Sequence, residues 1–158
     1  MGAFKAVIRN ESDKQHLMLS GHLNEQAAQI LPALLPQLHE VVVVNFKAVD
    51  NVNSYGVHAW IGFFGLLALG RKIFFDECTP EVVAQMNMIP FFRGKAEVRS
   101  VYGPYTCPSC GNYQQHLFTR GKNMPDTSKG LVEKVACTKC GKPSSMDVVS
   151  EDFFSFLD

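Results

Sequence analysis

Four consecutive valines, Val41 to Val44, lead after a short polar stretch into the apolar run Val57 to Leu69. A β-branched run of that length between polar residues reads as a buried strand. In the run that follows, Val57, Trp60, Ile61, Phe64 and Ala68 recur at helical spacing. A buried strand feeding a helix this apolar needs a sheet with helices packed on it, which makes the fold class α/β. Between the two, Asp50, Asn51 and Asn53 predict a turn. Ser54 then stands where an N-cap belongs, its hydroxyl accepting from a free N–H of the first turn. A hydroxyl so placed sits at the positive end of a helix, where backbone donors tolerate a phosphate.

The remaining elements are arranged around that pair. Ala3–Arg9 and His16–Ser20 alternate and read as a hairpin, with Gly21 ending the second strand. Ala27, Ala28, Leu31, Leu34, Leu35 and Leu38 have helical spacing after Asn24 as cap, and Pro32 predicts a kink or restart. Gly70 is placed to stop the central helix. Lys72–Phe75 reads as a strand, and Thr79-Pro80-Glu81 opens a helix that stops before Pro90. Ala96–Tyr102 reads as the last strand before Gly103-Pro104 breaks the pattern. Trp60 and the phenylalanines of the central helix are expected in the core.

The chain carries 15 Lys and Arg against 15 Asp and Glu, and neither half has an excess. Long-range steering toward nucleic acid is therefore not expected. The first residues lack the apolar core of a signal peptide, and Val57–Leu69 falls short of the roughly 18–20 residues a bilayer span requires. These features predict a cytoplasmic protein without membrane insertion. A run so apolar also leaves a face for a partner or for a second copy in a homodimer.

Residues 1–102 resemble the STAS family, the sulfate-transporter and anti-sigma-factor-antagonist domains. The similarity lies in Gly21-His22-Leu23-Asn24 after the second strand, in the valine strand, and in Val52-Asn53-Ser54-Tyr55-Gly56 at the start of the next helix. The family's signature there is an acidic residue, then Ser or Thr, any residue, and Gly. In its signalling members a partner kinase phosphorylates the Ser or Thr. The resemblance thus implies that Ser54 is a phosphorylation switch and that Asn53, Ser54, Tyr55 and Gly56 meet the partner. Asn53 replaces the usual Asp, which keeps the size and removes a charge beside the hydroxyl.

Cys107-Pro108-Ser109-Cys110-Gly111 and Cys137-Thr138-Lys139-Cys140-Gly141 carry the strongest chemical signal. Two C-x-x-C-G pairs bring four thiolates to one tetrahedral site, the glycines permitting the turns that aim N–H groups at sulfur. The expectation is a structural Zn²⁺ held by Cys107, Cys110, Cys137 and Cys140, with iron as the alternative for the same ligands. Gln115–Thr119, Leu131–Ala136 and Met146–Val149 are expected to pair as strands, so that 103–149 resembles a zinc ribbon. Residues 150–158 then form a short C-terminal helix or tail whose phenylalanines pack back on the rest. Cys78 lies outside both pairs and reads as an ordinary buried residue.

Together these expectations describe a STAS-like mixed sheet plus a small β zinc ribbon, acting as a non-enzymatic signalling or adaptor protein. Its partner is an anti-sigma factor or a serine kinase. The alternative is a nucleic-acid-binding regulator with the first domain as a dimerisation platform. Against it, Arg120, Lys122, Lys129, Lys134, Lys139 and Lys142 face Asp126, Glu133, Asp147 and the formal −2 of a zinc tetrathiolate. That leaves too small an excess to neutralise phosphates.

Overall fold

The N-terminal hairpin is present: β1 (Lys5–Asn10) pairs antiparallel with β2 (Gln15–Leu23), Lys5 opposite Ser20 and Asn10 opposite Gln15. The computed structural model describes residues 2–158. From β2 onward the pairing is parallel, through β3 (Val41–Val52), β4 (Lys72–Asp76) and β5 (Glu97–Val98), in the order β1-β2-β3-β4-β5. The helices α1 (Ala27–Leu34), α2 (Ser54–Leu67), α3 (Pro80–Met88) and α4 (Pro90–Arg93) supply the crossovers. This is the mixed α/β sheet that the alternation of strands and helices predicts.

Trp60 shows why the sheet and α2 pack as they do. Its side chain is wholly buried, with ring centroids 5.5 Å from Phe46, 5.9 Å from Phe75 and 5.7 Å from Phe92. The indole N–H donates to the Phe92 carbonyl at 2.8 Å, so the one polar atom of the ring is satisfied inside the core. Phe46 and Phe75 come from β3 and β4, and one side chain therefore joins two strands, α2 and α4.

Several boundaries differ from the sequence expectation. β3 runs on to Val52: Asp50 and Asn51, which read as part of a turn, are with Lys47 and Ala48 the solvent-facing residues of a long strand. Gly21 lies inside β2, at φ +83°, where the register with β3 shifts. A Cβ there would land on the Ala3 carbonyl, so glycine serves close approach and not strand termination. Asn24 does not cap α1. Its Oδ1 accepts the Gln26 N–H at 3.0 Å in the preceding turn, and Gln26 holds the cap position without a side-chain bond. The helix passes through Pro32 and restarts as a 3₁₀ turn over Leu35–Gln37. Thr79 occupies the N-cap position of α3, yet its buried hydroxyl has no hydrogen-bond partner among the described residues. Gly70, at φ +71°, follows α2 as expected.

The largest departure is after residue 96. The strand expected over Ala96–Tyr102 is two strands in two sheets. β5 closes the first, whereas β6 (Ser100–Thr106) runs across residues 102 and 103, with Gly103-Pro104 inside it. β6 is the centre of a second sheet, flanked by β7 (Tyr113–Thr119) and β8 (Ser145–Met146). Leu131–Ala136 is not a strand and keeps only an isolated bridge from Ala136 to Pro143. Gln114 Nε2 donates to the Ala136 carbonyl at 3.1 Å, and His116 Nε2 meets Glu133 Oε1 at 2.5 Å. Side chains of β7 thus hold that segment where backbone pairing was expected.

The tail, α5 (Ser150–Phe153) and a 3₁₀ turn over Phe154–Leu157, does pack back. Phe154 sets its edge on Phe118 of β7 at 5.2 Å. Asn87 of α3 donates to the Asp152 and Phe153 carbonyls, and Arg93 of α4 to the Phe156 carbonyl at 3.1 Å. Three buried phenylalanines therefore wedge the helices of the first sheet against the second, and one hydrophobic core spans both.

Candidate functional site

At the start of α2 the cap is Asn53, not Ser54. Asn53 has extended backbone and its Oδ1 accepts the Gly56 N–H at 2.8 Å. Asn is as good a cap as Ser, and the two are neighbours in sequence, so either position fits the same signal. The consequence is chemical: Ser54 moves to the first helical position, its side chain exposed and engaged in no hydrogen bond among the described residues.

Gly56 is buried where α2 meets the end of β2, and a Cβ there would overlap the Leu23 carbonyl. The Asn53 N–H also donates to Leu23 O at 3.1 Å. These two contacts press the first turn of α2 onto the sheet and point residues 54 and 55 outward. Tyr55 is 70% exposed and His58, one turn on, is exposed too. Of the four residues expected to meet a partner, Ser54 and Tyr55 face solvent, Asn53 is half-buried, and Gly56 only positions the others.

The four cysteines of the two pairs come together. All four sulfurs lie within 4.8 Å of one another, Cys107 Sγ 3.5 Å from Cys140 Sγ and Cys110 Sγ 3.6 Å from Cys137 Sγ. A tetrahedron with Zn–S bonds of about 2.3 Å has sulfur separations of about 3.8 Å, whereas a disulfide needs about 2.05 Å. The set has the spacing of a metal site, and all five cysteines are free thiols.

The two turns that present the sulfurs repeat each other. Gly111 N–H donates to Cys107 O at 2.8 Å and Cys107 N–H to Asn112 O at 2.9 Å; Gly141 N–H donates to Cys137 O at 2.9 Å and Cys137 N–H to Lys142 O at 2.7 Å. Gly111 and Gly141 have φ of +76° and +78°, which an L side chain resists. Gln114 ties one turn to the other: its Oε1 accepts from Thr138 N–H at 2.8 Å and its Nε2 reaches Ala136 O. Nothing in the spacing of the cysteines signals Gln114, because its role depends on where β7 passes the second turn.

The thiols compete for protons. Hydrogen bonds from the backbone N–H of Cys110, opposed by burial, lower Cys107; those from Cys140 and Lys139 lower Cys137 to about 6. Cys140, although the Lys142 N–H lowers it, is pushed up to about 11 by burial and by the neighbouring Cys107, Cys110 and Cys137. Four sulfurs this close cannot all ionise unaided, and a bound cation removes the conflict. The donor set fits a thiophilic metal, and its four ligands leave no open position for water.

No family model matches the chain and no curated protein matches its sequence. Among solved structures, the anti-sigma factor antagonist SpoIIAA in its unphosphorylated form is similar at 17% identity and a TM-score of 0.43, over 61% of this chain and 86% of that one. No helix of the described residues is long and apolar enough to cross a membrane.

Proposed function

We propose that this chain is a non-enzymatic interaction module of STAS type, which docks a regulatory protein of the anti-sigma-factor or serine-kinase kind and is gated by phosphorylation of Ser54. The carrying observation is the exposed Ser54 hydroxyl, uncommitted because Asn53 does the capping, in the N-S-x-G sequence that resembles the family's switch. A phosphate there adds about −1.5 to −2 charge beside the exposed ring of Tyr55. The helix N-terminus tolerates that charge, whereas an interface that has to bury it unpaired does not. The four-cysteine site holds a structural Zn²⁺, which stabilises the second sheet where a module of this size has little core of its own.

The test is capture of partners from the native host with the wild-type chain, Ser54→Ala and Ser54→Glu, with mass spectrometry of residue 54 in the recovered protein. Ser54→Ala is expected to retain a specific regulatory protein and Ser54→Glu to lose it at least tenfold. A partner held equally by all three forms sinks the gating, and finding no phosphate on Ser54 under any growth condition removes the kinase.

A further inference from the structure

A groove runs along α2 away from Ser54. Its near half, about 420 Å³, is lined by Val52, Ser54, Val57, His58, Ile61 and Ile89; its far half, about 400 Å³, by Ile61, Phe64, Gly65, Ala68 and Phe91, with Arg71 and Lys95 at the end. Ile61 lines both halves. Phe91, on its wall, is 76% exposed, and α2 itself carries no charged residue from Ser54 to Leu67. A Cβ on Gly65 would meet nothing within 4 Å, so this glycine keeps the floor of the groove open and is not demanded by packing.

We infer that this groove docks an amphipathic helix of a partner protein, its apolar stripe along α2 and an acidic residue at the end that reaches Lys95. The 14 residues of α2 make a trough about 21 Å long, enough for anchors at i, i+3 or i+4, and i+7. Charge selects the occupant. No Asp or Glu lines either half, while Lys95 is exposed; the guanidinium of Arg71 is taken up by the carbonyls of Leu38, His39 and Leu67. A second copy docking through the same lining residues would bring no carboxylate to this cation. The regulation of the groove rests on the reading of Ser54 above, since Ser54 lines its entrance; the groove itself does not.

The probe is a designed helical peptide of three turns, Leu at the anchor positions and Glu at one end, compared with the same peptide carrying Lys for Glu. Binding is followed by fluorescence anisotropy and by NMR shifts of ¹⁵N-labelled full-length protein. The expected result is shifts at Ile61, Ala68 and Phe91, with the Lys peptide at least tenfold weaker. Gly65→Leu fills the groove and Phe91→Asp charges its wall; both leave the core intact and both are expected to abolish the shifts. Binding on the β1 side of the sheet, equal affinity for the two peptides, or no shift up to about millimolar peptide overturns the inference. A sedimentation change from dimer to monomer in Phe91→Asp also overturns it, in favour of a second copy. Groove binding that Ser54→Glu leaves unchanged overturns the gating and not the groove.

Discussion

Asn53 Oδ1 accepts the Gly56 N–H at 2.8 Å, and through that bond one residue caps α2 while its neighbour Ser54 is left free. A neutral amide thus satisfies one of the orphan donors of the helix N-terminus.

Replacing the cap should therefore cost stability while leaving the Ser54 hydroxyl in place. Asn53→Ala is expected to lose about 1 kcal/mol, and Asn53→Asp to match or exceed wild type by a few tenths, since the carboxylate also faces the helix dipole. Urea denaturation measures both, and an unchanged midpoint for Asn53→Ala would mean that the bond contributes nothing.

Two glycines of the same helix should respond in opposite directions. Gly56→Ala drives a methyl group into the Leu23 backbone, which has no flexible end to yield, and a loss of about 3 kcal/mol or failure to fold is expected. Gly65→Ala meets open space and should gain about 1 kcal/mol from helix propensity. Thermal melting of the pair separates close packing from composition, and equal effects would contradict the contact.

Metal removal should reach beyond the four ligands. One equivalent of zinc is expected in the purified protein, with no visible absorption, and a chelator or Cys137→Ser should release β7 and the 121–136 segment that its side chains hold. Because Phe118 of β7 packs on Phe154 of the tail, the loosening should spread to the tail at α3 and α4. Amide exchange that rises only at residues 107–111 and 137–141 would deny that coupling; a coloured protein would indicate iron.

Tyr102 supplies an alkaline signature. Burial first, and then its hydrogen bond to Glu77 Oε1 at 3.0 Å, push the phenol up to about 12. A pKa raised in the folded state contributes stability that is complete below the ordinary value near pH 10 and is lost as pH climbs toward 12. Tyr102→Phe should flatten the decline of stability above pH 10 relative to wild type. Ultraviolet titration that finds every tyrosine ionising near pH 10 would refute it.

What the sequence determined by itself are the parts whose physics is local. β-Branched composition announced the valine strand, periodicity α2, and the order of cap, proline and acid α3, because each signal needs only a window of the chain to be visible. The cysteines announced their own meeting, since two C-x-x-C-G turns carry the ligand set in their spacing. Tertiary structure decided the rest. Whether Asn53 or Ser54 caps α2 turned on Leu23, thirty residues earlier, whose carbonyl admits only a glycine at 56 and fixes where the helix begins. Whether residues 96–102 were one strand turned on β7, which draws Ser100–Thr106 out of the first sheet into the second. Contacts between distant segments leave no period in the sequence, so these choices became visible only when the two sheets and the tail closed on one core.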